Sequence, residues 1–239
     1  MAPRGIFVTG TDTGVGKSIV SSTLARLLRM NGVSVGVMKP VTSGCREENG
    51  ELVSDDALLL CQAAGVSFSE DVAPYRLREA IAPADAAKID GVRIDFSTIK
   101  AAFERLASAY QYVIVEGAGG LMVPLSGGLL VADLARELGL PLLVVARPGL
   151  GTINHTVLTC FGAQQMGLKV AGVIVNGMPE HPGLAEKGAA HQIGSLCGAS
   201  VLGIWPHRNE IDQMEIVNEL SAWLDGQAET GIVLRELGV

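Results

Sequence analysis

The chain has 239 residues, 48% of them hydrophobic and 18% charged, with a net charge of −7. That length can bury one large core, and an acidic balance with no basic run excludes a surface built to neutralise nucleic-acid phosphates. Mean hydropathy is positive at +0.36, yet Gly, Pro or a charge interrupts every apolar stretch before it could cross a bilayer, so no membrane partner is expected.

The first ten residues, MAPRGIFVTG, run straight into a strand pattern without the apolar core and small-residue cleavage site of an export signal. Cys45, Cys61, Cys160 and Cys197 form no C-x-x-C pair and have no histidine cluster beside them. Reduced thiols in a cytoplasmic protein are expected, not a metal site or a disulfide framework.

Ile6–Val8 reads as a buried strand. Gly10, Gly14 and Gly16 follow, then Lys17 and Ser18, then Ile19, Leu24, Leu27 and Leu28 at helical spacing. Strand, glycine loop, lysine, hydroxyl and helix together suit a bound phosphate. Glycines let successive N–H groups turn inward without a Cβ in the way, and the helix N-terminus adds partial positive charge. The cradle would run through Thr11, Asp12, Gly14, Val15 and Gly16, with Lys17 reaching the terminal phosphates and Ser18 offering a hydroxyl to Mg²⁺. Five residues separate Gly10 from Gly16, one more than the usual spacing.

Asn31-Gly32 closes the turn after this helix, and Ser34–Met38 reads as a strand ending at Lys39-Pro40. A lysine at the carboxyl end of a parallel strand faces the crevice where such sheets bind ligands. Val41–Val53 reads as a polar loop of functional length. Ser54 caps a helix with Asp55 and Asp56 in its first turn and Gly65 at its end. Ala73–Leu77 reads as extended, Pro83–Ile89 as a short helix, and Asp95 as the cap of an amphipathic helix. Tyr112–Val115 is a buried strand terminating in Glu116, before a glycine-rich run. An acid at such a strand tip is placed to face a metal or water.

Leu129–Leu138, Ile153–Met166, Ala185–Leu196 and Ile211–Leu224 read as helices; Pro141–Val145, Lys169–Val175 and Val201–Ile204 read as strands. Arg147–Thr152 is a Pro/Gly loop, and Asn176 follows a strand end. His155 reads as a packing or capping residue. The alternation predicts one α/β domain over residues 1–239, a doubly wound, mainly parallel sheet of about seven strands with helices on both faces.

GTDTGVGKS at Gly10–Ser18, KPVTSG at Lys39–Gly44, SDDALLL at Ser54–Leu60, VEGAGGLMVPL at Val115–Leu125 and GTINHTVLT at Gly151–Thr159 resemble, in order and spacing, the dethiobiotin synthetase family of P-loop NTPases. The resemblance covers nearly the whole chain. It implies ATP-driven closure of a cyclic urea, in which 7,8-diaminopelargonate and CO₂ form a carbamate that is activated as a carbamic–phosphoric anhydride. It further implies that Ser18, Asp56 and Glu116 hold Mg²⁺, and that Lys39, Thr13 and Ser43 orient the carbamate. Glu116, Gly119, Asn176 and Pro206 would contact the nucleotide, Pro206 lying in the looser match at Trp205–Glu210. Gly119 would also touch the substrate, and Gly151, Thr152, Ile153 and Asn154 would hold its distant carboxylate from the neighbouring subunit of a homodimer.

The competing reading is a partition or septum-positioning switch ATPase. Such proteins place a second lysine just after the first loop glycine, where this chain has Thr11. An amidating synthetase of the cobyrinate type would need an added glutaminase domain, for which the chain is too short.

Overall fold

The computed structural model describes residues 5–209, 212–227 and 230–239. Six strands form the central sheet: β1 (Gly5–Gly10), β2 (Val35–Met38), β3 (Tyr112–Gly120), β4 (Leu142–Ala146), β5 (Val170–Met178) and β6 (Val201–Pro206). Their spatial order is β6-β5-β4-β1-β3-β2, every pairing parallel. Nearly continuous Val/Ile/Leu runs suit strands covered on both faces. Successive residues of β1 confirm two-sided burial: Ile6 and Val8 enter one core cluster and Phe7 another.

One face carries α1 (Lys17–Met30) and α2 (Asp55–Ala64), joined by α8 (Gln213–Asp225) and α9 (Thr230–Leu237), which contribute Leu24, Leu60, Val217 and Val233. The other is covered by α3 (Pro83–Ile89), α4 (Phe96–Ala109) and α5 (Val131–Leu138), then by α6 (Thr152–Gln165) and α7 (Leu184–Leu196). The chain leaves β1 in both lateral directions, so β1 is where the strand order reverses. Ligands of open α/β sheets bind beyond the carboxyl ends of strands at that position.

Several expectations shift in detail. The extended piece at Ala73–Leu77 contributes Tyr75–Arg76, paired with Val41–Thr42 in a separate ribbon, which leaves six strands in the main sheet. The Val41–Val53 loop contains an antiparallel hairpin, Arg46–Glu48 with Glu51–Val53. Its turn is Asn49-Gly50, both residues at positive φ (53° and 84°), as a tight hairpin requires. Strand β3 runs past Glu116 because Gly120 stays paired with Gly10. Helix α9 lies beyond the helix expected to finish the chain. That preceding helix begins at Gln213 with Asp212 as its cap; Glu210 and Ile211, where two expected segments end and begin, lie outside the described residues.

The four cysteines are free and buried. Burial pushes the thiols of Cys61 and Cys160 up to about 11 and about 12, so both stay protonated and inert near neutral pH.

Candidate functional site at the carboxyl edge of the sheet

The loop after β1 is held from two sides. Thr11 N–H donates to the Val145 carbonyl at 3.0 Å, and Thr13 N–H donates to Asp12 Oδ1 at 2.8 Å. Gly16, at φ 87°, opens α1. That helix has no side-chain cap and no acid in its first turn, so its leading N–H groups are left for an anion. Helix α2 is the contrast, with Ser54 Oγ accepting from Ala57 N–H at 3.2 Å.

Lys17 is buried and donates to the Asp12 carbonyl at 3.2 Å. Burial holds its pKa below the ordinary lysine value; Glu116 opposes that shift and Lys39 adds to it. An ammonium in this position gains most from an arriving phosphate.

Around it gather groups from four separate elements. Ser18 Oγ lies 2.9 Å from Asp56 Oδ1 and 2.8 Å from Glu116 Oε1. Lys39 Nζ donates to Asp56 Oδ2 at 2.8 Å and to Glu116 Oε1 at 2.6 Å. Burial alone would lower the Lys39 pKa, but the Glu116 and Asp56 carboxylates outweigh it and raise it. Burial would likewise raise Asp56, and the Lys39 charge reverses the sign.

The oxygens are over-supplied. A hydroxyl has one proton, so Ser18 can donate to only one of its two carboxylate neighbours, and the other contact sets lone pairs against each other. Glu116 is fully buried and its Oε2 has no partner among the described residues. Two carboxylates, one of them with an orphaned buried oxygen, and a hydroxyl fit a hard divalent cation such as Mg²⁺, which also takes phosphate and water oxygens. Among the described residues no group of three His, Cys, Asp or Glu side chains could hold a metal.

A cleft of about 390 Å³ brings together Thr13, Gly14, Gly16, Lys17, Ser18, Lys39, Ser43, Asp56, Glu116 and Gly119. Val15 is buried in the loop, and its carbonyl accepts from Asn176 Nδ2 at 3.1 Å. Thr11, Asp12 and Thr13 face a second cleft of about 520 Å³, walled by Gly120–Val123, His155, Leu158 and Thr159. Pro206 ends β6 and borders neither cleft. Gly151, Thr152, Ile153 and Asn154 form the uncapped start of α6, also outside both.

Gln213 and His155, to which the sequence assigned no ligand role, also line the clefts. Gln213, the first residue of α8, lines the phosphate-loop cleft. His155, read from the sequence as a packing or capping residue, lines the second cleft with a buried Nδ1 that has no partner among the described residues.

Residues 4–215 match a family described as AAA domain. The ATP-dependent dethiobiotin synthetase BioD of Bacillus velezensis is 40% identical over 222 residues, covering 93% of this chain and 94% of that protein. Its namesake from Bacillus subtilis strain 168 is 42% identical over 203 residues, 85% and 87% of the two chains. The chain belongs to the dethiobiotin synthetase family. The Thermodesulfovibrio yellowstonii member is 39% identical over 221 residues, 89% and 92% of the chains. A ParA family ATPase from Chlorobium tepidum superposes with TM-score 0.56 at 16% identity over the whole of both chains. MinD from Aquifex aeolicus gives 0.57 at 17%, covering 98% and 95%. At that identity the switch ATPases share the fold alone, and the dethiobiotin synthetase family shares the sequence as well.

Proposed function

We propose that this single domain is an ATP-dependent dethiobiotin synthetase, closing the cyclic urea of dethiobiotin from 7,8-diaminopelargonate and CO₂. The observation that carries the reading is the meeting of Ser18, Lys39, Asp56 and Glu116 opposite Lys17 and the glycine loop. Phosphoryl transfer asks a protein mainly for positioning and charge neutralisation, and this cleft offers both.

The loop from Thr11 to Ser18 cradles the phosphates, and Lys17 neutralises their terminal charge. Ser18, Asp56 and Glu116 would hold Mg²⁺, which would draw charge from the phosphate oxygens when bound. Lys39 pairs with the carbamate oxygens, while Thr13 and Ser43 hydrogen-bond the same group and aim it at the terminal phosphorus. Asn176, whose amide already fixes the loop through Val15, and Pro206 lie at neighbouring strand ends suited to the base; Gly119 lets both ligands approach the backbone.

The substrate's far carboxylate needs a second anion receptor, and the uncapped N-terminus of α6 at Gly151–Asn154 supplies one. The resemblance to the family assigns these residues to the site of a second copy of the chain. Leu150, Leu158 and Phe161, at 87%, 59% and 58% exposure, give that copy an apolar face continuous with the second cleft. On this reading the protein is a cytoplasmic homodimer with small-molecule ligands and neither a nucleic acid nor a membrane partner. Among the described residues no helix is long and apolar enough to cross a membrane.

ATP hydrolysis measured with and without diaminopelargonate and bicarbonate tests the reading. Stimulation should need both, with dethiobiotin appearing in step with ADP; stimulation by DNA or lipid vesicles would instead favour a switch ATPase. Phe161→Glu should sediment as a monomer, bind ATP normally and lose synthesis. A variant that stays dimeric, or a wild type that is monomeric, removes the shared-site geometry.

A further inference from the structure

The wall of the phosphate-loop cleft holds one hydroxyl that the reaction proposed above does not use. Val41–Thr42 pairs with Tyr75–Arg76 in the small ribbon beside the main sheet. Val41 enters the core cluster of Phe7 and Leu77. Neighbours in an extended strand face opposite sides, so Thr42 turns away from that core, toward the start of α2. It is buried, at 5% exposure, and lines the cleft with Lys39, Ser43 and Asp56.

A chain of hydrogen bonds directs its proton. The Ala57 N–H donates to Ser54 Oγ at 3.2 Å as part of the cap of α2. Ser54 Oγ, also buried, donates in turn to Thr42 Oγ1 at 3.1 Å. A hydroxyl has one proton, so Ser54 has committed its own and Thr42 must place its proton elsewhere. Among the described residues Thr42 Oγ1 accepts this bond and donates none. Buried hydroxyls ordinarily find an acceptor, and the cleft is the side from which one can arrive.

We infer that the Thr42 hydroxyl donates to a carbamate oxygen of the substrate, a contact beyond those of Thr13 and Ser43. The inference rests on the synthetase reading and adds a residue to it. Thr42 shares its segment with Lys39 and Ser43, the residues given to the carbamate, and no residue of the glycine loop bonds it. Ser54 occupies an acceptor position of the oxygen, which leaves the proton facing the cleft and suits an anionic oxygen there. Thr42 is thereby tied through Ser54 to the helix that carries Asp56, so the carbamate wall and the metal wall share one anchor.

Dethiobiotin synthesis by the intact protein, titrated in diaminopelargonate at saturating bicarbonate, Mg²⁺ and ATP, tests this alongside calorimetric binding of a non-hydrolysable ATP analogue. Thr42→Val keeps the shape and removes the proton. It should lower kcat/KM for diaminopelargonate by about tenfold or more, as expected for a lost hydrogen bond to a charged group, and leave the affinity for the analogue nearly unchanged. Thr42→Ser restores the donor and should recover most of that loss, which a role in packing alone would not produce. Ser54→Ala frees the hydroxyl to rotate, should fall between wild type and Thr42→Val, and serves if Thr42→Val fails to fold. Unchanged kcat/KM in a folded Thr42→Val or Ser54→Ala, an equal loss in Thr42→Ser, or an equal fall in analogue affinity overturns the inference while the synthetase reading stands. A wild type that makes no dethiobiotin overturns that reading first, and this contact with it.

Discussion

Lys39→Gln should abolish synthesis while leaving most of the affinity for ATP. The side chain sits between two carboxylates at 2.6 and 2.8 Å, where its charge offsets theirs and faces the cleft. Glutamine is one atom shorter, keeps an N–H donor and loses the charge where, on the proposed reaction, negative charge would accumulate on the carbamate and the migrating phosphoryl group. Loss of one such electrostatic contact costs about 10²–10³ in kcat, and here the same change also unbalances the buried Glu116. Removing one partner of a buried pair typically costs about 3–5 kcal/mol, so the variant should melt well below the wild type in metal-free buffer. Added Mg²⁺ and ATP should restore part of that loss, because a divalent cation supplies the charge the carboxylates then lack. The loop and Lys17 are untouched, so the effect belongs in kcat, with KM for ATP changed little. A rate within a few-fold of wild type would remove Lys39 from the chemistry and reduce it to a structural counter-ion.

The parts of this site legible in the sequence are those carried by local rules. The step from Ile6–Val8 through three glycines to Lys17 dictates its own geometry, and Ser54 and Asp95 announce their helices by capping chemistry. The Asn49-Gly50 hairpin carried an equally local signal, masked by the polar character of the segment around it. What sequence does not display is contact across the chain. Asn176 reaches Val15 over 161 positions, Gln213 enters the cleft from the start of α8, and β3 continues past Glu116 only because β1 lies beside it. Helix α9 is 8 residues long, too short for a periodic pattern, and depends on packing against β5 and β6 for its place. The surplus of oxygen around Ser18 is likewise invisible until strand and helix ends are brought to hydrogen-bond distance.

Gly16→Ala should weaken ATP binding by about 10²-fold or more, for two separable reasons. The residue has φ 87°, a left-handed conformation that costs a side-chain-bearing residue about 1–3 kcal/mol. In addition, its Cβ would lie 2.2 Å from Asn176 Nδ2, so the amide must withdraw and surrender its bond to the Val15 carbonyl, worth about 1 kcal/mol. Gly14→Ala isolates the first effect: φ is 74° but nothing lies within 4 Å of the added carbon, and affinity should fall by the backbone penalty alone, about 5- to 100-fold. Asn176→Ala isolates the second. The double variant Gly16→Ala with Asn176→Ala relieves the collision and keeps the backbone penalty, so it should bind more tightly than Gly16→Ala alone yet less tightly than Asn176→Ala. Calorimetric titration with a non-hydrolysable ATP analogue reads all four. Wild-type affinity in Gly16→Ala would mean that this loop does not hold phosphate in the conformation described, and the roles assigned to Lys17 and Ser18 would fall with it.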